Sequence, residues 1–118
     1  MEDLFEDVLE NKKVMVRNIT IVPENYDSDY SWEQAEITAD FIFETWENGK
    51  VTEDSMIEIM DQYGESQGGG ELRIIERGVY VDEVDSWCFD PAREVGDVAI
   101  IENVYGYTII YFSGIANN

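Results

Sequence analysis

The chain contains no histidine, and Cys88 is the only cysteine among its 118 residues. Without histidine, a catalytic triad of the Ser-His-Asp type and the common zinc sites are excluded. A single cysteine excludes an internal disulfide, and no histidine is present to activate its thiol. Cys88 lies within the apolar stretch Val84–Phe89, which indicates a buried structural thiol. EF-hand spacing is also absent, so we expect neither a metal ion nor a cofactor.

Basic residues are scarce, with 7 Lys and Arg against 27 Asp and Glu and a formal net charge of −20. Nucleic acid is not expected as a partner, because phosphate binding requires clustered Lys and Arg. Contact of this domain with an anionic membrane surface is not expected for the same reason. The acids are spread along the chain, which favours solubility and self-repulsion as their role. A basic partner, or mimicry of a nucleic acid, is the alternative.

Hydrophobic residues make up 44% and aromatic residues 13% of the chain, which is too apolar for a disordered acidic tail. The length supports one domain with one modest core. We divide the chain into an acidic amphipathic segment, residues 1–13, and a single folded domain, residues 14–118. The apolar residues of the first segment lie on one face of a short helix: Leu4, Phe5, Val8 and Leu9.

Three further segments are predicted to be helices. The first begins at Ser31, which would form a capping box with Gln34. Its core-facing residues are Ala35, Ala39, Ile42 and Trp46. The second is capped by Thr52 or Asp54 and ends at Gly64; its core-facing residues are Met56, Ile59, Met60 and Tyr63. The third is the short segment Asp82–Cys88.

Four segments rich in β-branched and aromatic residues are predicted to be strands: Val14–Val22, Leu72–Ile75, Val98–Glu102 and Tyr107–Phe112. Asn103–Gly106 would join the last two as a tight hairpin. The predicted order is therefore β-α-α-β-α-β-β. This order is typical of an α+β domain in which helices pack on a four-stranded, mostly antiparallel sheet.

From about Val14 to Phe112 the chain resembles a parvulin-type peptidyl-prolyl cis-trans isomerase (rotamase) domain. Five segments carry the resemblance in the family's order: MVRNI (15–19), TEDSMIEIMDQYGES (52–66), GGGEL (68–72), RGVYVDEVDSWCF (77–89) and VGDVAIIENVYGYTIIYF (95–112). The match of any one segment to the family would not identify the fold. The five matches in the family's order do so together. The resemblance implies a parvulin-like fold and a protein-folding function.

The departures from the family pattern fall at its functional positions. Asn18 and Thr108 stand where the family has histidines, and Ser66 aligns with its Asp or Cys. Tyr80 and Val84 replace a pocket methionine and a pocket phenylalanine, whereas Leu72 keeps the family's leucine. The resemblance therefore implies a proline pocket of Leu72, Tyr80 and Val84. Asn18, Ser66 and Thr108 would occupy the catalytic positions.

A prolyl isomerase lowers the barrier to rotation about a peptide bond, about 18–20 kcal/mol. It binds the twisted amide better than either planar isomer and breaks no bond. Loss of histidine is therefore less damaging here than in a hydrolase. Asn and Thr form hydrogen bonds but do not carry charge or exchange tautomers. We expect proline-containing polypeptide segments as the partner, with weak or lost isomerase activity.

Two other functions fit the same sequence. One is a non-catalytic peptide-binding or chaperone module of a larger exported protein. The other is an acidic protein that binds a basic partner. Each of the six candidate positions also has an ordinary structural explanation, such as a strand threonine or a core valine. The resemblance implies an extracytoplasmic location, at the cell surface or secreted, and a cytoplasmic location is the alternative.

Overall fold

The computed structural model describes residues 13–47, 52–64 and 67–116, without the side chains of residues 46 and 47. The strands are β1 (Lys13–Ile21), β2 (Arg73–Glu76), β3 (Val98–Asn103) and β4 (Gly106–Ala116), and the helices are α1 (Asp29–Glu47), α2 (Glu53–Gly64) and α3 (Asp82–Cys88). The predicted order, β-α-α-β-α-β-β, is confirmed. The predicted amphipathic segment lies outside the described residues except for Lys13, with which β1 begins.

The four strands form one sheet in the order β2-β1-β4-β3. Each pair of neighbours is antiparallel, which confirms the predicted α+β class. β1 and β4 lie at the centre and pair along nearly their whole length. None of the described helices is long and apolar enough to cross a membrane.

The two faces of the sheet carry different helices, because successive strand residues point to opposite sides. The α1/α2 face is packed by Ile19, Ala35, Ala39, Ile42, Met56, Met60, Tyr107, Ile109 and Tyr111. The α3 face is packed by Val14, Val16, Ile75, Val84, Cys88, Phe89, Ile110 and Phe112. Most of the core residues predicted for α1 and α2 are therefore buried. Ile59 is only partly buried, Tyr63 is 39% exposed, and the side chain of Trp46 lies outside the described part.

The first helix begins earlier than predicted. α1 starts at Asp29, and the hydroxyl oxygen of Ser28 accepts a hydrogen bond from the Ser31 N–H at 3.2 Å. Ser28 is therefore the capping residue, and the predicted capping box of Ser31 and Gln34 is wrong. A serine three residues upstream offers an equivalent cap, and it adds one turn to the helix.

The last strand is longer than predicted and continues to Ala116. Its register against β1 shifts between Met15 and Val16, so that Ser113 lies in a bulge. Gly114, directly after the bulge, has a φ of +144°. In a sequence, serine followed by glycine is typical of a turn. Here the two residues form a bulge, which bends the strand but does not end it.

Cys88 is buried against the α3 face, as predicted. Burial raises the pKa of its thiol to about 12, and the Asp85 carboxylate acts in the same direction. The thiol is therefore protonated at neutral pH, which is the state of a structural cysteine and not of a nucleophile.

The glycine-rich loop of residues 67–70, which follows α2 in the chain, packs on that helix. The Gly70 N–H donates to the Asp61 carboxylate at 2.8 Å, and a Cβ atom on Gly70 would lie 2.7 Å from the Cα of Ile57. Glycine is needed here because the loop backbone approaches the helix closely. The close packing on α2 therefore explains the glycine at position 70.

A charged cluster joins α2 to the sheet. The carboxylate of Glu53 accepts hydrogen bonds from the Ser113 hydroxyl at 2.7 Å and from Arg17 Nε at 2.9 Å. These two bonds, the serine's first, lower the pKa of Glu53 from its usual 4.5. A lowered carboxyl pKa stabilises the fold above the unfolded pKa, and this stabilisation is lost as pH falls through the folded value.

We predict that Glu53→Gln destabilises the fold most at neutral pH. The difference in free energy of unfolding from the wild type should shrink as pH falls below 4.5, because the wild-type carboxylate then becomes protonated. Urea unfolding at a series of pH values measures this. Glu58→Gln, an exposed acid on the same helix, is the matched control. An equal penalty for Glu53→Gln at every pH would contradict the assignment.

Candidate functional site

A cleft of about 280 Å³ opens on the α3 face, where the chain leads into that helix. Asn18 and Thr20 follow the buried Val16 at alternate positions of β1, so they point to the same face. Thr108 lies opposite Thr20 on β4. The lining residues are Asn18, Thr20, Gln67, Arg73, Val79, Tyr80, Val81, Val84, Asn103, Tyr105 and Thr108.

The floor of the cleft is a chain of neutral hydrogen bonds. The buried Asn103 amide donates to the hydroxyl oxygen of Thr108 at 2.9 Å and to the Ile101 carbonyl at 3.0 Å. The hydroxyls of Thr108 and Thr20 lie 2.9 Å apart and share a hydrogen bond. The carbonyl oxygen of the Asn103 side chain accepts from the Tyr105 N–H at 3.0 Å. The Thr108 hydroxyl is therefore held from two sides.

Asn18 adds an acceptor that no described residue uses. Its side-chain oxygen Oδ1 is buried and has no hydrogen-bond partner within the described part of the chain. An unpaired buried acceptor is unfavourable by about 1–3 kcal/mol, and binding sites are where such groups are retained.

The wall of the cleft is apolar and comes from the segment that leads into α3. Val84 is buried, Tyr80 is partly buried, and Val79 on the rim is 62% exposed. Tyr105, in the β3–β4 turn, is 57% exposed on the opposite rim. An apolar wall beside a few fixed polar groups is the usual composition of a site that binds an organic ligand.

Gln67 and Arg73 close the edge of the cleft beside β1. The Gln67 amide accepts from the Thr20 N–H at 2.8 Å and donates to the Thr20 carbonyl at 2.7 Å. These two bonds take the place of those that a neighbouring strand would form, because β2 does not extend as far as Thr20. Arg73 donates to the Gln67 carbonyl and is the only charged side chain among the described residues of the lining.

The structure brings together four of the six predicted site residues: Asn18, Thr108, Tyr80 and Val84. Leu72 lies just before β2, is 40% exposed and does not line the cleft. Ser66 lies outside the described residues. The roles predicted for all six stay predictions.

Four polar lining residues were not predicted, namely Thr20, Gln67, Arg73 and Asn103. Thr20 follows Asn18 by two residues on the same strand, and this period of two is a signal present in the sequence. Asn103 was predicted only as a turn residue, whereas it is 7% exposed at the end of β3. No local pattern indicates that Gln67 bonds to Thr20.

Comparison with known proteins gives matches at the level of structure alone. No protein-family model and no curated protein matches the chain in sequence. The peptidylprolyl isomerase PrsA of Bacillus cereus superposes with a TM-score of 0.68 at 24% identity, over 99% of this chain and 40% of that one. The peptidyl-prolyl isomerase ESS1 of Candida albicans gives 0.66 at 20% identity, over 86% and 63%. NmPin, the parvulin of Nitrosopumilus maritimus, gives 0.51 at 23% identity, over 87% and 97%.

The chain thus spans less than half of the length of the Bacillus protein and nearly all of the archaeal one. The chain has the fold of a parvulin-type peptidyl-prolyl isomerase domain.

Proposed function

We propose that the cleft binds proline-containing polypeptide segments and that the domain is a peptidyl-prolyl isomerase of weak activity. The observation that carries this proposal is that the apolar side chains of Tyr80 and Val84 line the same cleft as the polar side chains of Asn18 and Thr108. A proline ring is apolar, whereas the amide before it is polar. The cleft offers a matching surface to each part.

Isomerisation of an X–Pro bond requires little chemical reactivity of the side chains in the site. Rotation about the X–Pro bond removes the amide resonance, so the site has only to favour the twisted amide over both planar forms. The wall holds the ring, and the hydroxyls and amides of the floor face the rotating group. No charged acid or base is needed.

Activity is proposed to be weak because the floor groups are neutral and largely occupied. The Thr108 hydroxyl already bonds to Asn103 and Thr20, and a substrate would have to compete with both. Val84 is also smaller than the phenylalanine to which it corresponds, so it contacts less of the proline ring. Loss of that contact weakens the binding of the proline ring by about 1–2 kcal/mol.

The occupied floor also favours a second candidate, a non-catalytic peptide-binding or chaperone module. In that case the domain serves within a larger exported protein, in an extracytoplasmic location. It would bind the same segments without changing their rate of isomerisation.

NMR exchange spectroscopy on a panel of short X–Pro peptides tests the proposal. We expect the wild-type domain to produce cis–trans exchange cross-peaks that are absent from the peptide alone. Tyr80→Ala should abolish them, because it removes the larger part of the wall. Tyr63→Ala, the same change on α2 outside the cleft, should leave them unchanged.

The outcomes separate the candidates. Binding without exchange would overturn the isomerase and support the module. Exchange that survives Tyr80→Ala would contradict the assignment of the cleft as the site, and the absence of both binding and exchange would contradict both candidates.

A further inference from the structure

The outer face of α1 exposes an apolar row that packs on no other described element. Tyr30, Ile37 and Phe41 are 70%, 52% and 61% exposed. Their spacing of seven and then four residues places them on one side of the helix. We call these three residues the outer stripe. Ala35, Ala39 and Ile42, on the opposite side, already attach the helix to the sheet.

Carboxylates line one border of the outer stripe. Glu33, Asp40 and Glu44 repeat with the same spacing of seven and four residues, and all three are exposed. We call them the acidic flank. Within residues 13–47, 52–64 and 67–116, no lysine or arginine forms an ion pair with any of them. The helix therefore aligns three acids that are separated in the sequence.

The other border of the outer stripe is concave and also carries a carboxylate, that of Glu24. A depression of about 190 Å³ lies between α1 and the chain that leaves β1. Gln34 and Thr38 form its helical side, and Val22, which is 52% exposed, lies on its other side. The groove beside the helix is thus lined by polar as well as apolar side chains.

Exposed apolar residues that form a continuous patch mark interaction sites more often than isolated ones do. Here the patch has carboxylates on both borders, three on α1 and that of Glu24 across the groove. A complementary partner therefore needs apolar side chains on one face and positive charges beside them, which describes a cationic amphipathic segment.

We propose that the outer stripe and the acidic flank form a docking surface for a basic amphipathic segment of another protein. Its apolar side chains would cover Tyr30, Ile37 and Phe41, and its lysines or arginines would pair with Glu33, Asp40 and Glu44. This surface lies on the α1/α2 side of the sheet, and the cleft lies on the α3 side. The two sites are therefore independent.

Charge argues against the other occupants. A second copy of this chain would bring another net charge of −20 against the acidic flank. The chain's own residues 1–12 are apolar in part but carry Glu2, Asp3, Glu6, Asp7 and Glu10, which would meet the flank with like charge. Of the three occupants, only a cationic segment carries a charge opposite to that of the carboxylates on this surface.

The test uses a synthetic peptide of lysine and leucine arranged to form an amphipathic helix. Its control has the same composition in scrambled order. We expect the amphipathic peptide to bind with backbone shifts concentrated on α1 and to bind about ten-fold tighter than the scrambled one. Ile37→Ala/Phe41→Ala should weaken binding about ten-fold. Glu33→Gln/Asp40→Asn/Glu44→Gln should reduce its salt dependence.

Two matched variants complete the design. Ile74→Ala/Val95→Ala removes exposed apolar groups elsewhere and should leave the affinity unchanged. Tyr80→Ala, in the cleft, should also leave it unchanged.

Three results would overturn the proposal. The first is equal binding of the two peptides, the second is unchanged binding to the Ile37 and Phe41 variant, and the third is loss of binding with Tyr80→Ala. Self-association of the wild type that this α1 variant abolishes would instead identify a second copy as the occupant.

Discussion

Replacement of Gly106 by alanine is expected to destabilise the domain by at least about 3 kcal/mol, a large share of the 5–15 kcal/mol typical of a small domain. Gly106 has a φ of +142°, which side chains rarely adopt. A Cβ atom there would lie 2.2 Å from the carbonyl oxygen of Ile21, so backbone would have to move. Urea unfolding of Gly106→Ala measures the loss.

Gly78→Ala is the matched control for this substitution. Gly78 also has a positive φ, +86°, but a Cβ atom there would meet nothing within 4 Å. Its replacement should therefore report conformational strain alone, about 1–2 kcal/mol. Equal losses for the two variants would contradict a close approach between the β3–β4 hairpin and the end of β1.

Asn103→Leu is expected to destabilise the domain by about 3 kcal/mol and to remove peptide binding at the cleft. The change leaves the Thr108 hydroxyl, the Ile101 carbonyl and the Tyr105 N–H without the Asn103 side chain. Asn25→Leu is the matched control, because the Asn25 side-chain oxygen likewise accepts from the N–H two residues on, but at an exposed site. Its effect should be below about 1 kcal/mol.

A double-mutant cycle separates the hydrogen bond from the packing. Thr108→Val keeps the shape of the side chain and removes its hydroxyl. If Asn103 and Thr108 stabilise each other, the double variant Asn103→Leu/Thr108→Val should lose about 1 kcal/mol less than the sum of the two single variants. Additive losses would show that the floor of the cleft is not a coupled network.

The order of elements followed from the sequence because each strand and helix has its own periodic pattern. The ends of elements were harder to predict. The start of α1 depended on the choice between Ser28 and Ser31, two caps that are alike in sequence. The end of β4 depended on a bulge at Ser113, which requires the partner strand to be known.

The candidate site could be predicted only where the resemblance supplied a position. Asn18 and Thr108 are far apart in the chain and line the same cleft because β1 and β4 are neighbours. Thr20 could have been added from strand alternation. Asn103 and Gln67 could not, because their roles depend on the pairing register and on a loop whose path no local pattern sets.

The central claim, that the cleft binds proline-containing segments, is tested most directly by an NMR titration of the isotope-labelled domain. The ligands are a proline-containing peptide and the same peptide with alanine in place of proline. We predict shifts at Asn18, Tyr80, Val84 and Thr108 with the proline peptide that the alanine peptide does not produce. Equal shifts with both peptides, or shifts that avoid these residues, would contradict the account.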